Sequence, residues 1–158
     1  VDSLERLTIH SANYRPLAAI KDDVLIIEWD MAVGQADLVR FIGLCRAEPE
    51  VVRVAPYLLY GGAEPVWAHR KWSGAGGNTP APGSAQPVHS GDPTCNLFGL
   101  GMTYLPRTVM RRYFADCYSA HAGDVEISMW HYRNIAEEVP VAWDVLPVHL
   151  HYPIEGLT

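Results

Sequence analysis

A chain of 158 residues has the length of one compact domain. Its 49% hydrophobic and 19% charged content excludes disorder as the main state, and a formal net charge of -6 argues against a protein built to grip nucleic-acid phosphates. No apolar run approaches the roughly 20 residues of a membrane span, and residues 1–6 have neither the charged lead nor the apolar centre of a signal peptide, so a cytoplasmic protein is expected.

In chain order, residues 7–10 read as a short strand. Residues 13–20 read as a turn of helix that Pro16 tolerates only near its N-terminus. Val24–Ile27 is a continuous apolar run, the pattern of a strand buried on both faces. From Gln35 to Ala47, Leu38, Val39, Ile42 and Cys45 recur at helical spacing, and the helix should stop at Glu48-Pro49. Residues 51–54 form the next strand, and strand, helix, strand in that order predicts a parallel βαβ unit. Gly, Pro, Ala and Ser dominate much of 61–93, so a flexible loop without regular elements is expected there. Residues 97–105 read as extended, interrupted by Gly99 and Gly101, and Pro106 suits the first turn of a helix carrying Val109, Met110, Tyr113 and Phe114. Residues 125–132 fit helix or strand, and 145–152 alternate like a strand. The expected fold is α/β, one domain over 1–158 with a single mixed, mostly parallel sheet flanked by helices. Cys45, Cys95 and Cys117 are odd in number and far apart, which points to reduced thiols.

Glu28-Trp29-Asp30 follows the first buried strand directly. Carboxylates two residues apart lie on one side of an extended segment, and two hard oxygen ligands suit Mn²⁺ or Mg²⁺. His149 and His151 repeat that spacing with imidazole, a good Mn²⁺ ligand. Asp124 and Glu126 form a third such pair, and either could take a proton from a hydroxyl. Gly99 and Gly101 permit close approach of a backbone or a sugar. Trp67 and Trp72 flank the start of the flexible loop, where an indole can stack on a sugar ring. Neither a P-loop, G-x-S-x-G nor H-E-x-x-H is present.

An acidic tripeptide after a strand, a glycine segment, a later acid and a C-terminal histidine, in that order, resemble the GT-A glycosyltransferases. The likeness runs loosely over residues 7–152, with a shortened N-terminal half. It implies a GT-A-like, truncated fold and transfer of a sugar from a nucleotide-sugar donor to a glycan, protein or small-molecule hydroxyl, with Mn²⁺ or Mg²⁺ as cofactor. By that resemblance Asp30 and His149 or His151 hold the metal, and Glu28 contacts the ribose or a metal-bound water. Gly99 and Gly101 line the sugar site, and Asp124 is the catalytic base. A homo-oligomer or partner subunit would complete the short half, and no nucleic-acid partner is expected. Two other readings compete: a non-catalytic carbohydrate-binding or assembly module, and a metal-dependent hydrolase that activates water with the same acids and histidines.

Overall fold

The computed structural model describes residues 17, 19–60, 64–72, 85–117, 124–136 and 138–150, with the side chains of 124 and 125 set aside. The strand expected at 7–10, most of the helical turn at 13–20, and His151 lie outside these residues.

The first half begins with strands β1 (Val24–Ile27) and β2 (Met31–Ala32), helix α1 (Gln35–Ala47), and strands β3 (Arg53–Val54) and β4 (Leu58–Leu59). Strands β5 (Val66–Trp67), β6 (Arg70–Lys71), β7 (Gln86–Pro87) and β8 (Thr94–Cys95) follow. The second half holds β9 (Met102–Leu105), helices α2 (Arg107–Asp116) and α3 (Asp124–Asn134), and strands β10 (Val139–Pro140) and β11 (Val148–His149). Helix α1 has the predicted bounds. Asp37 in its first turn and Arg46 in its last complement the helix dipole, and Pro49 lies just beyond its end. Helix α2 starts after Pro106, and its first N–H is capped across the chain: Arg107 N donates to Asp23 Oδ1 at 2.9 Å. At 125–132 the helix prevails, because Ile127, Trp130 and His131 are buried together at i, i+3 and i+4.

The sheet departs from expectation. Among the described residues every strand pair is antiparallel, in one three-stranded and four two-stranded sheets, which overturns the expected single mostly parallel sheet. The three-stranded sheet has the order β1-β9-β3. Since β1 and β3 both run antiparallel to β9, they point the same way, as a βαβ unit requires, but they are not neighbours. A central strand must be buried on both faces. Met102, Thr103, Tyr104 and Leu105 all are, whereas Val24–Ile27 is an edge strand that is half-buried and leaves Ile27 exposed. The buried Thr103 is tolerated because its hydroxyl donates to Gly99 O at 3.0 Å.

Proline explains why most other strands stop at two residues. Pro56, Pro65, Pro93 and Pro147 flank β3, β5, β8 and β11, while Pro87 and Pro140 sit inside β7 and β10, each removing a ladder donor. Strands β5, β6 and β7 also replace part of the loop expected over 61–93; its remainder at 61–63 and 73–84 lies outside the described residues. The one parallel contact among the described residues is an isolated bridge, Val54 to Val141.

Strand alternation divides the core. Leu25, Met102, Tyr104 and Ala55 face Phe41 and Cys45 of α1. Ile26, Val54 and Leu105 face Val109, Met110 and Tyr113 of α2 and Ile127 and Trp130 of α3. All three cysteines are free, and burial pushes the thiols of Cys45 and Cys95 up to about 11 and about 12. No helix among the described residues is long and apolar enough to cross a membrane.

The central place of β9 has a measurable consequence. Leu105→Ala should destabilise the fold by about 2–5 kcal/mol and Ile27→Ala by less than about 1 kcal/mol, compared by urea unfolding. Equal losses would contradict the order β1-β9-β3.

Candidate functional site

Three strand ends meet at one edge of the sheet, because β9 begins where β1 and β3 finish. Glu28 N, just past β1, donates to Gly101 O at 2.9 Å and prolongs the ladder by one bond. The chain then turns: Met31 N donates to Glu28 O at 3.0 Å, which puts Trp29 and Asp30 at the two central positions of a β-turn. Beyond the turn, β2 pairs with β11, setting His149 opposite Met31 and Val148 opposite Ala32. Leu150 N donates to Asp30 O at 2.6 Å and closes this ribbon.

That ribbon joins two residues singled out from opposite ends of the sequence. His149 Nε2–H donates to Asp30 Oδ2 at 3.0 Å, with both side chains largely buried. Asp30 Oδ1 is buried without a hydrogen-bond partner. A carboxylate oxygen in that state is costly unless a donor or a cation meets it. The pair supplies one oxygen and one nitrogen ligand of the types Mn²⁺ accepts, the other positions of an octahedral ion falling to phosphate or water. No cluster of three or more His, Cys, Asp or Glu able to hold a metal occurs among the described residues.

Behind the pair stands Tyr57, which directly follows Pro56 at the end of β3. Its ring lies 5.8 Å from that of His149, tilted by 34°, and meets His69 edge-on at 5.4 Å. Gly101 makes room for it: a Cβ there would lie 2.7 Å from Cε1 and Cζ of Tyr57. His69 is wholly buried, and its Nε2–H donates to Ala55 O at 2.9 Å, which leaves Nδ1 as a buried acceptor with no partner. Burial pushes His69 down to about 4. Sequence reasoning missed both residues. The available signal for Tyr57 was an aromatic just beyond a strand that runs alongside the first; His69 carried none.

The other expected residues are dispersed. Trp72 is buried, its backbone N–H bonded to Asn96 Oδ1 at 2.7 Å and its ring 5.4 Å from Tyr132. Trp67 is half-buried, edge-on to Trp143 at 4.9 Å. Gly99 precedes β9 and serves Thr103, whereas Gly101 is at the site itself. Asp124 opens α3, with its side chain outside the described residues. The helix also ends the expectation that Asp124 and Glu126 share one side of an extended segment. No protein-family model, curated protein or solved structure matches the chain.

Packing of Tyr57 against Gly101 is testable by a double-mutant cycle. Gly101→Ala should cost about 1–3 kcal/mol in the parent and close to nothing in a Tyr57→Ala background, read by urea unfolding. Additive losses would show that the two do not touch.

The buried histidines set an acid limit. His69 and His131 are both pushed down to about 4 by burial, so between 6.5 and 4 the unfolded chain binds protons that the folded chain does not. Stability is therefore full above about pH 6.5 and falls towards pH 4, by an amount on the order of 3 kcal/mol per histidine. His131→Leu, which removes one titration at similar volume, should flatten the slope of unfolding free energy against pH; an unchanged slope would refute the assignment.

Proposed function

We propose that the protein is a divalent-cation-dependent glycosyltransferase that moves a sugar from a nucleoside-diphosphate donor to an acceptor hydroxyl. The observation that carries this reading is the meeting of Asp30 and His149 at 3.0 Å, with the second Asp30 oxygen buried and unpartnered beside them. A surface ion pair needs no such oxygen, whereas a cation ligand does. The order of motifs along the chain supports the same reading.

Asp30 and His149 would hold the cation, His149 through Nε2 once the proton it directs at Asp30 has been released to solvent or moved to Nδ1. Mn²⁺ or Mg²⁺ bound there would neutralise charge on the leaving diphosphate. The Glu28 backbone is fixed at the base of the same turn by its bond to Gly101. Tyr57 packs on the His149 ring and limits its rotation, which preserves the ligand geometry between turnovers. By the resemblance to the GT-A glycosyltransferases, Asp124 would take the proton of the acceptor hydroxyl.

Mn²⁺ at about 100 times its dissociation constant should stabilise the parent by about 2.7 kcal/mol, seen as a higher melting temperature, and that gain should vanish in Asp30→Ala and His149→Ala. Turnover against a donor panel should fall by about 10²–10⁴-fold in Asp124→Asn while donor affinity holds. A parent indifferent to Mn²⁺, or a gain intact in Asp30→Ala, would sink the metal reading. Stabilisation by Mn²⁺ without turnover would leave a carbohydrate-binding module, and release of free sugar with water as acceptor would identify a hydrolase.

A further inference from the structure

A cavity of about 360 Å³ opens beside the last turns of α1, at the end of β1 opposite to the Asp30 turn. Two local patterns build its wall. Ile42, Cys45 and Arg46 share one stripe of α1 at i, i+3 and i+4, and Leu25 lies across the ladder from Tyr104, its Cα partner on β9. Leu25, Cys45 and Tyr104 belong to the core cluster under α1, while Ile42 stays half-buried at its margin. Pro49, just past the helix, completes the apolar part. This volume is at the small end of the roughly 300–1,000 Å³ of ligand sites, so it suits a molecule the size of one amino acid.

Few polar groups face the cavity, and most are already used. The Tyr104 hydroxyl lies beside Asp23 but gives its proton to Pro49 O at 2.8 Å. Burial keeps the Cys45 thiol protonated, pushing it up to about 11. One acid and one base remain, Asp23 and Arg46, both exposed. Ion pairs among the described residues link Asp37 to Arg40, Glu48 to Arg53 and Asp30 to His149, so neither Asp23 nor Arg46 takes part in one. Asp23 Oδ1 accepts from Arg107 N at 2.9 Å, which occupies one of the roughly four acceptor positions of a carboxylate. The Arg46 guanidinium offers a planar fork of donors, and no hydrogen bond among the described residues uses them.

Opposite charges that line one cavity without closing on each other suit a ligand that carries both. A carboxylate alone is repelled by Asp23, and an amine alone by Arg46. An α-amino acid holds an ammonium and a carboxylate on one carbon, with a side chain left over for the apolar wall. We infer that this cavity binds a free α-amino acid with an apolar side chain, its carboxylate on Arg46, its ammonium on Asp23, and its side chain among Leu25, Ile42 and Tyr104. Charge-assisted bonds at both ends fix the orientation, and the volume limits the side chain. None of these residues belongs to the Asp30 turn, so the site stands apart from the glycosyltransferase reading.

Calorimetry on the full chain tests this with leucine, isoleucine, valine, methionine and phenylalanine, against glycine. The tightest binder is then compared with its deaminated and decarboxylated analogues, which for leucine are 4-methylpentanoate and 3-methylbutylamine. At least one of the five should bind saturably, glycine should not, and each analogue should bind about tenfold or more weakly than the amino acid. Arg46→Gln should bring the amino acid down to the level of its decarboxylated analogue. Asp23→Asn should bring it down to the deaminated one, with the amide oxygen still able to cap α2. If Asp23→Asn melts at a lower temperature, Arg46→Gln, an exposed change in the last turn of α1, decides alone. No saturable binding by any of the five, equal affinity for the amino acid and either analogue, or unchanged affinity in Arg46→Gln would each overturn the site. Amino-acid binding in a parent indifferent to Mn²⁺ would keep this site and remove the metal reading. Stabilisation by Mn²⁺ without amino-acid binding would do the reverse.

Discussion

The antiparallel ladder between β1 and β9 organises everything else. It pairs Leu25 with Tyr104 and Ile26 with Thr103, and β3 continues both rows by setting Arg53 beside Tyr104 and Val54 beside Thr103. One row then faces α1 and the other faces α2 and α3, so the two core clusters are the two sides of one register. A slip of one residue would exchange the sides and turn Phe41 and Tyr113 towards the wrong partners. Polar groups in the rows are answered locally. Tyr104 donates its hydroxyl to Pro49 O at 2.8 Å, and Arg53 is paired with Glu48 just past the end of α1. Burial and the Asp23 carboxylate beside it push the Tyr104 hydroxyl up, so it remains a neutral donor.

The same ladder places the candidate site. Its last bond holds Glu28 against Gly101, and the turn that follows inherits that position. From there β2 reaches β11, and a carboxylate from the first third of the chain meets an imidazole from its end. Tyr57 arrives from β3 over a glycine that leaves it space. The scaffold is thus antiparallel and assembled from short pieces, yet it brings the ends of β1 and β3 to one edge, as a parallel arrangement would. Loops and turns at such an edge can vary in side chain without disturbing the buried rows behind them.

The division of labour among aromatics follows from the same geometry. Trp130 closes the space between α2 and α3, with its Nε1–H bonded to Asp116 Oδ2 at 3.1 Å and its ring edge-on to Tyr113 at 5.4 Å. Trp67 and Trp143 meet edge-on, and Trp72 lies tilted against Tyr132. Trp29 is 79% exposed, in the turn that carries Asp30. A carboxylate with an unanswered buried oxygen beside an imidazole at one strand end is difficult to explain by packing alone.

Local information was enough for helices α1 and α2 and for the type of several strands, while α3 stayed open between helix and strand. Helix α1 is legible in the spacing of Leu38, Ile42 and Cys45 and in Pro49, and α2 in Pro106 and the apolar positions after it, because caps and periodicity act within a few residues. The residue types of Asp30 and His149, and their chemistry, were also legible. Their contact rests on the expected order of motifs, and only the pairing of β2 with β11 brings them to 3.0 Å. Strand direction was not legible: an apolar run such as Val24–Ile27 reads the same whether its neighbour is parallel or antiparallel, and β9 takes the central slot through partners far away in the chain. Exposure was hidden for the same reason. Five tryptophans look alike in a sequence, and which of them is left facing water is decided by what the rest of the chain packs against the other four.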